Sequence, residues 1–281
     1  MGHEARADPA REKLPLAVVK LGGSVLTRKR ETEKLRPKVL ARLAEEIASI
    51  TTHDIVLLHG AGGFGHPGAQ RFGLARPPSA EHPASERARG AAIVSVEVRR
   101  LHVAVLRELV RAGARPWSLP MAGHALQSEG TLTRIDLSPV SAALDHGLLP
   151  VSFGDVVPDT VWGSSILSAD TIALELARAL HPQVVLFVSD VNGIYPPGST
   201  GRRSPIKEVD ASVVARLAPR TGVADVTGGI RGKAEAMRAI AALGVDAGLI
   251  SGLSDGAISR ALRGRGQDGS WARAGPSGAP C

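Results

Sequence analysis

The run His59-Gly60-Ala61-Gly62-Gly63-Phe64-Gly65-His66 joins two kinds of chemistry in eight residues. Glycines let backbone N–H groups approach a phosphate with no Cβ in the way. An imidazole at the far end can donate to, or take a proton from, whatever the loop holds. The run follows the apolar segment Ile55-Val56-Leu57-Leu58. A phosphate loop that ends in histidine suggests a phosphate held for reaction as well as anchored. The plainer alternative is a structural turn with His59 and His66 at the surface.

Other segments share this character. Lys20-Leu21-Gly22-Gly23-Ser24 closes an apolar run, and its glycines and serine can wrap a phosphate while Lys20 neutralises charge. It has neither the Walker A spacing nor a G-x-G-x-x-G opening a helix. Alone, Gly22-Gly23 is more often a tight turn. Lys29, flanked by Arg28 and Arg30, is a further cation, or part of a solvated basic loop. In Ser189-Asp190-Val191-Asn192-Gly193-Ile194-Tyr195, Asp190 at a strand end could orient a nucleotide or a Mg²⁺ shell, whereas Asn192-Gly193 is a turn signal. Thr227-Gly228-Gly229 offers donors at the start of a helix with Lys233 one turn in; the alternative is a glycine cap and an exposed lysine. Phe153-Gly154-Asp155 closes another strand and is weaker alone. The sequence has no H-x-x-x-H or C-x-x-C metal pattern and no G-x-S-x-G elbow. Histidines such as His102 and His181 read as structural or surface residues.

These motifs need strands to deliver them. Leu16–Leu21 is a nearly continuous apolar run, as for a strand buried on both faces. Apolar residues at helical spacing predict a helix from Pro37 to Ile50. Leu74–Pro83 reads as an exposed loop, followed by a long helix over Ser85–Ala112 that Gly113 stops. Strands are predicted at Arg115–Leu119, Leu148–Phe153, Val184–Val188 and Val245–Ser251, and a hairpin over Asp155–Ile166. Helices are predicted at Ser138–Asp145, after a Ser168 N-cap, at Asp210–Leu217 and at Gly229–Leu243. Strands alternating with helices give an α/β fold, a mainly parallel open sheet sandwiched between helices. In such sheets ligands sit beyond the carboxyl ends of the strands, where every motif above falls.

The chain of 281 residues is 43% hydrophobic, enough for a large core, with no uninterrupted run able to span a bilayer. Residues 1–13 read as a disordered leader without a signal-peptide core, and 267–281 as a disordered tail rich in Gly, Ser, Pro and Ala. The single cysteine, Cys281, excludes an internal disulfide framework, so a cytoplasmic location is expected. The net charge of +7 raises nucleic-acid binding, but one Tyr, four Phe and three Trp are too few for base-stacking platforms. The basic residues are also scattered, which fits a mild pull on phosphates better. Neither nucleic acid nor membrane is expected as a partner.

Taken in order, Lys20–Ser24, Gly154-Asp155, Ser189–Tyr195 and Val226–Lys233 resemble the amino acid kinase superfamily over roughly residues 16–263. Within it, His59–Pro67 resembles the isopentenyl phosphate kinases. The resemblance implies the amino acid kinase fold, a three-layer αβα sandwich, and transfer of a phosphoryl group from ATP, with Mg²⁺, to isopentenyl phosphate. Dimethylallyl phosphate is a second candidate substrate, and a homodimer is implied. By motif position, Lys20, Gly22, Gly23, Ser24 and Gly62 would hold ATP phosphates. Lys29 would stabilise the transferring group, and Asp190, Tyr195, Gly229 and Lys233 would serve the nucleotide. Ala61, His66 and Gly154 would line the acceptor site. An acceptor-binding part, 14–183, would precede a nucleotide-binding part, 184–266. Ala61-Gly62-Gly63 departs from the family, which more often shows further Gly and a Ser there, but a backbone donor survives at Ala61.

A fosfomycin-type kinase and a non-catalytic nucleotide-binding regulator are the competing readings. A prenyl acceptor needs an apolar wall, which Ala91, Ile93, Val94, Val96 and Val98 of the long helix could supply; they could equally be core.

Overall fold

The computed structural model describes residues 13–28, 34–197, 204–217, 229–264 and 268–275. Strand β1 (Leu16–Leu21) leads through a single turn, α1 (Gly23–Leu26), to α2 (Pro37–Ala48) and β2 (Asp54–His59). Then come α3 (Gly62–Arg71), α4 (Ala84–Arg111), β3 (Pro116–Ser118), β4 (Ala125–Ser128), β5 (Thr131–Ile135), α5 (Ser138–Asp145) and β6 (Leu149–Phe153). The hairpin β7 (Asp155–Asp159) and β8 (Gly163–Leu167) precedes α6 (Ala169–Leu180) and β9 (Val184–Ser189). The chain finishes with α7 (Ala211–Arg216), α8 (Gly229–Ala242), β10 (Asp246–Ser251), α9 (Ala257–Leu262) and β11 (Ser270–Ala272).

The main sheet runs β11-β10-β9-β1-β2-β6-β3, and all its pairings are parallel except β10 with β11. Side chains alternate between its faces. Val18, Val56, Leu58 and Phe187 enter the core under α6 and α8, and Ala17, Val19, Leu57 and Leu186 the core under α2 and α4. This is the expected three-layer sandwich. The alternation fixes two later facts: Lys20 shares the face of Val18, toward α6 and α8, whereas His59 shares the face of Leu57, toward α4. Among the described residues no helix is long and apolar enough to cross a membrane.

Several boundaries follow their local signals. Pro37 opens α2. Ser168 Oγ accepts a hydrogen bond from Thr171 N–H (3.0 Å) and so caps α6. Gly113, with φ of +90°, lets the chain turn away after α4.

Other expectations need correction. A second sheet, β5-β4-β7-β8, carries the hairpin together with two strands absent from the sequence prediction. The glycine run is helical from Gly62 onward. Leu74, read as the start of an exposed loop, is fully buried with Phe72 and Val94. The supposed disordered tail contains β11, whose three residues are buried. Trp271 packs on Gly248, where a Cβ would approach its ring to 2.7 Å, and Ser270 Oγ accepts from Ile194 N–H (2.8 Å). Glycine, serine and proline around it masked a strand that one aromatic anchor and one buried hydroxyl hold in place.

Candidate active site

Four glycines mark the carboxyl edge of the main sheet. Gly252 N–H donates to Ser189 C=O (2.7 Å), Gly22 to Val188 (2.7 Å), Gly60 to Leu21 (2.9 Å) and Gly154 to His59 (3.1 Å). Each is the first residue after its strand. The ladder thus continues one step past the strands with no side chain in the way, which leaves an open backbone edge.

The two glycine loops of β1 and β2 touch. A Cβ on Gly60 would lie 2.8 Å from Gly23 N, and one on Gly23 would overlap Gly62 N. Gly62 has φ of +50°, a left-handed turn that aims α3 back over α1. Thr27, fully buried, ties the pair: its hydroxyl donates to Gly23 C=O (2.8 Å) and accepts from Gly63 N–H (2.9 Å). Gly22, Gly23, Ala61 and Gly62 are therefore one backbone surface.

Lys20 reaches this edge from below. It is 5% exposed, and its Nζ lies 2.7 Å from Asp170 Oδ1. Lys233, one turn into α8, places its Nζ 3.3 Å from the other oxygen of Asp170. Burial alone would raise the Asp170 carboxyl, but the two ammonium groups outweigh it and hold it at about 2. Asp170 is thus ionised at ordinary pH, and a carboxylate of so low a pKa is a weak proton acceptor. Its work is to hold two cations side by side. Gly154 lies against the start of the same helix, where a Cβ would stand 3.2 Å from Ala169 N.

On the β9 side, Ser24 Oγ donates to Asp190 Oδ1 (2.7 Å), joining the first loop to the Ser189–Tyr195 segment. Tyr195 is half-buried and follows the buried Ile194. Gly229 opens α8 with φ of +58°. His66 lies half-buried in the second turn of α3. Lys29, Thr227 and Gly228 lie outside the described residues.

Asp170 is the site residue that sequence reasoning missed. Its only local signal was an acid in the first turn of a helix after a strand, which ordinarily reads as dipole compensation. His102 is structural, as one of its two readings had it, and His59 is not the surface residue of the plainer reading: both are buried, with His59 Nε2 and His102 Nδ1 3.0 Å apart and Phe153 stacked on His59. Burial first, and then the neighbouring His102, lowers His59 to about 3; burial, then Arg99, lowers His102 to about 4. Of the residues named for an apolar wall, only Val94 and Val98 are buried, and they lie in a core cluster. Val94 and Val98 pack with Ala69, Phe72, Leu74, Phe153 and Val156, with Ala61 and Ala91 at the margin. Ile93 and Val96 are 41% and 58% exposed and point the other way, because they sit about half a turn round α4 from Val94 and Val98.

The arrangement offers cations and backbone donors around a buried acid, and it suits charge neutralisation on phosphoryl groups. Residues 15–250 match the Amino acid kinase family. The isopentenyl phosphate kinase of Methanothermobacter thermautotrophicus is 31% identical over 260 residues, spanning 89% of this chain and 96% of that one. The Thermoplasma acidophilum isopentenyl phosphate kinase is 33% identical over 227 residues, covering 79% and 85%. An X-ray structure of an isopentenyl phosphate kinase superposes with a TM-score of 0.79 at 27% identity, covering 91% of this chain and 99% of that one. The chain belongs to the amino acid kinase family and, within it, to the isopentenyl phosphate kinases.

Proposed function

We propose that the protein transfers the γ-phosphoryl group of ATP to isopentenyl phosphate, giving isopentenyl diphosphate and ADP. The observation that carries this reading is the contact of two glycine loops beside a paired-lysine cluster. An acceptor oxygen of isopentenyl phosphate forms the new P–O bond as the bond to ADP breaks. That oxygen is already ionised at neutral pH, so the reaction needs no strong base, and Asp170, held at about 2, is only a weak one.

Each residue has a task in this scheme. Backbone donors of Gly22, Gly23 and Gly62, with Ser24, hold the ATP phosphates. Lys20 neutralises charge on the transferred group, and Lys29 is assigned the same work. Asp190, Tyr195, Gly229 and Lys233 serve the nucleotide. Ala61, Gly154 and His66 receive the acceptor phosphate, with His66 donating to it. The prenyl tail follows Val94 and Val98. Residues 14–183 form the acceptor-binding part, whose glycine loops also reach the ATP phosphates, and 184–266 the nucleotide-binding part, the two sharing one sheet. Among the described residues no three His, Cys, Asp or Glu side chains gather as a metal site. Mg²⁺ would be held chiefly through the phosphates, with the Ser24–Asp190 pair supplying hard oxygen atoms. When bound, it would add charge neutralisation across those phosphates.

A cytoplasmic location accords with the single cysteine. A homodimer accords with α4, where Val96, Val103 and Val110 are exposed at intervals of seven residues on one face. Two antiparallel copies would bring Val103 to its counterpart. Val103→Asp is expected to yield a monomer by sedimentation, and an unchanged mass would refute that interface.

The decisive test is a substrate panel with Mg²⁺-ATP. Isopentenyl phosphate should be turned over far faster than fosfomycin, UMP or acetylglutamate, with dimethylallyl phosphate second. Faster turnover of fosfomycin would make the chain a phosphonate kinase. Nucleotide binding without turnover would make it a regulator.

A further inference from the structure

Behind the second glycine loop, three polar side chains from three elements form a continuous line. Ser118 Oγ, on the exposed edge strand β3, lies 2.8 Å from His102 Nε2. His102 Nδ1, on α4, lies 3.0 Å from His59 Nε2, at the end of β2. His59 Nδ1 lies 3.3 Å from the carbonyl oxygen of Gly60.

The last contact sets the sense of all the others. A carbonyl can only accept, so His59 carries its proton on Nδ1 and accepts at Nε2. His102 must then donate from Nδ1 and accept at Nε2, and the Ser118 hydroxyl must donate. Every donor points the same way, from solvent toward Gly60, an alignment in which successive bonds polarise one another. Phe153 packs on both rings, at 5.3 Å from His59 and 4.4 Å from His102. The residue after Phe153 is Gly154, whose N–H donates to His59 C=O. The line therefore ends between the two backbone segments assigned to the acceptor phosphate.

We propose that Ser118, His102 and His59 are positioning residues that fix the Gly60–Ala61 peptide, and with it the acceptor phosphate, without touching substrate. The acceptor part of this inference rests on the function proposed above; the hydrogen-bond chain does not. Burial keeps both imidazoles neutral, the one state in which each can donate and accept.

The test uses the full chain labelled with ¹⁵N. At pH 7, long-range ¹H–¹⁵N spectra should show His59 and His102 both protonated at Nδ1 and bare at Nε2. Ser118→Ala, at an exposed edge, should leave the fold intact yet move the amide resonances of Gly60 and Ala61. His102→Phe should raise KM for isopentenyl phosphate about tenfold while KM for ATP stays within about twofold. His102→Asn, which restores a donor near the Nδ1 position, should recover part of that loss. An Nε2–H tautomer at either ring, or unmoved amides in Ser118→Ala, would overturn the chain. Equal changes in both KM values would overturn its acceptor role. Wild-type protein inactive on isopentenyl phosphate would sink the proposed substrate, while the nitrogen and amide spectra would still decide the chain.

Discussion

The Lys20 ammonium group stands 2.7 Å from the Asp170 carboxylate, and both side chains are more than nine-tenths buried. With Lys233 on the other oxygen, one acid serves two cations. Asp170→Asn keeps the size and removes the charge, leaving two lysines facing each other. Breaking a buried pair in this way costs on the order of 3 kcal/mol. The variant should lose that stability in urea denaturation and at least about a hundredfold in kcat, as the cations splay. Wild-type stability together with wild-type kcat would remove Asp170 from the site.

Replacing His66 with alanine probes the acceptor side alone. Loss of one charge-assisted hydrogen bond is worth about 1.5–3 kcal/mol, so kcat/KM for isopentenyl phosphate should fall tenfold to hundredfold. Circular dichroism and nucleotide affinity should stay as in the wild type. Near-normal kinetics would take His66 out of the reaction.

The buried histidines give stability a pH dependence of definite sign. Both fall below their ordinary value near 6.5, His59 to about 3 and His102 to about 4, chiefly through burial. Between those values and 6.5 the unfolded chain binds more protons than the folded one. Stability therefore rises with pH across that window and is lost as pH falls below about 6.5. Each whole proton is worth about 1.4 kcal/mol per pH unit. Denaturation midpoints at pH 7 and pH 5 should differ in the wild type and differ less in His102→Phe. A midpoint gap of the same size in that variant would argue against the buried pair as its source.

Thr27→Val is nearly isosteric and removes the hydroxyl between the glycine loops. It strands Gly63 N–H and takes one of two donors from Gly23 C=O, which keeps the Thr27 N–H, a loss of about 1–3 kcal/mol. Affinities for ATP and for isopentenyl phosphate, measured by calorimetry, should both weaken. Weakening of only one would show that the loops act separately.

How much of this was legible in the sequence depended on the range of the interaction. Leu16–Leu21 and Val184–Val188 were readable because a strand buried on both faces needs only its own apolar residues. Ser168 was readable because a cap acts within three residues. The helix from Gly62 to Arg71 was not: three glycines after its first residue and an internal Pro67 give it poor propensity, and packing on α4 holds it. Gly65 fits there because a Cβ would come within 2.9 Å of Val98. Asp170 was hidden because its partners lie 150 residues before it and 63 after it, and only the sheet's alternation brings Lys20 round to α6. The pairing of His59 with His102 was hidden for the same reason, since their contact spans 43 residues.

The Thr27 hydroxyl also has a thermodynamic meaning. A single oxygen bonded to both loops links their geometries, so a ligand that settles one loop biases the other. Such coupling is reciprocal: whatever factor nucleotide adds to the affinity for acceptor, acceptor must add to the affinity for nucleotide. The order in which the two substrates arrive then changes the route to the ternary complex and leaves its free energy the same.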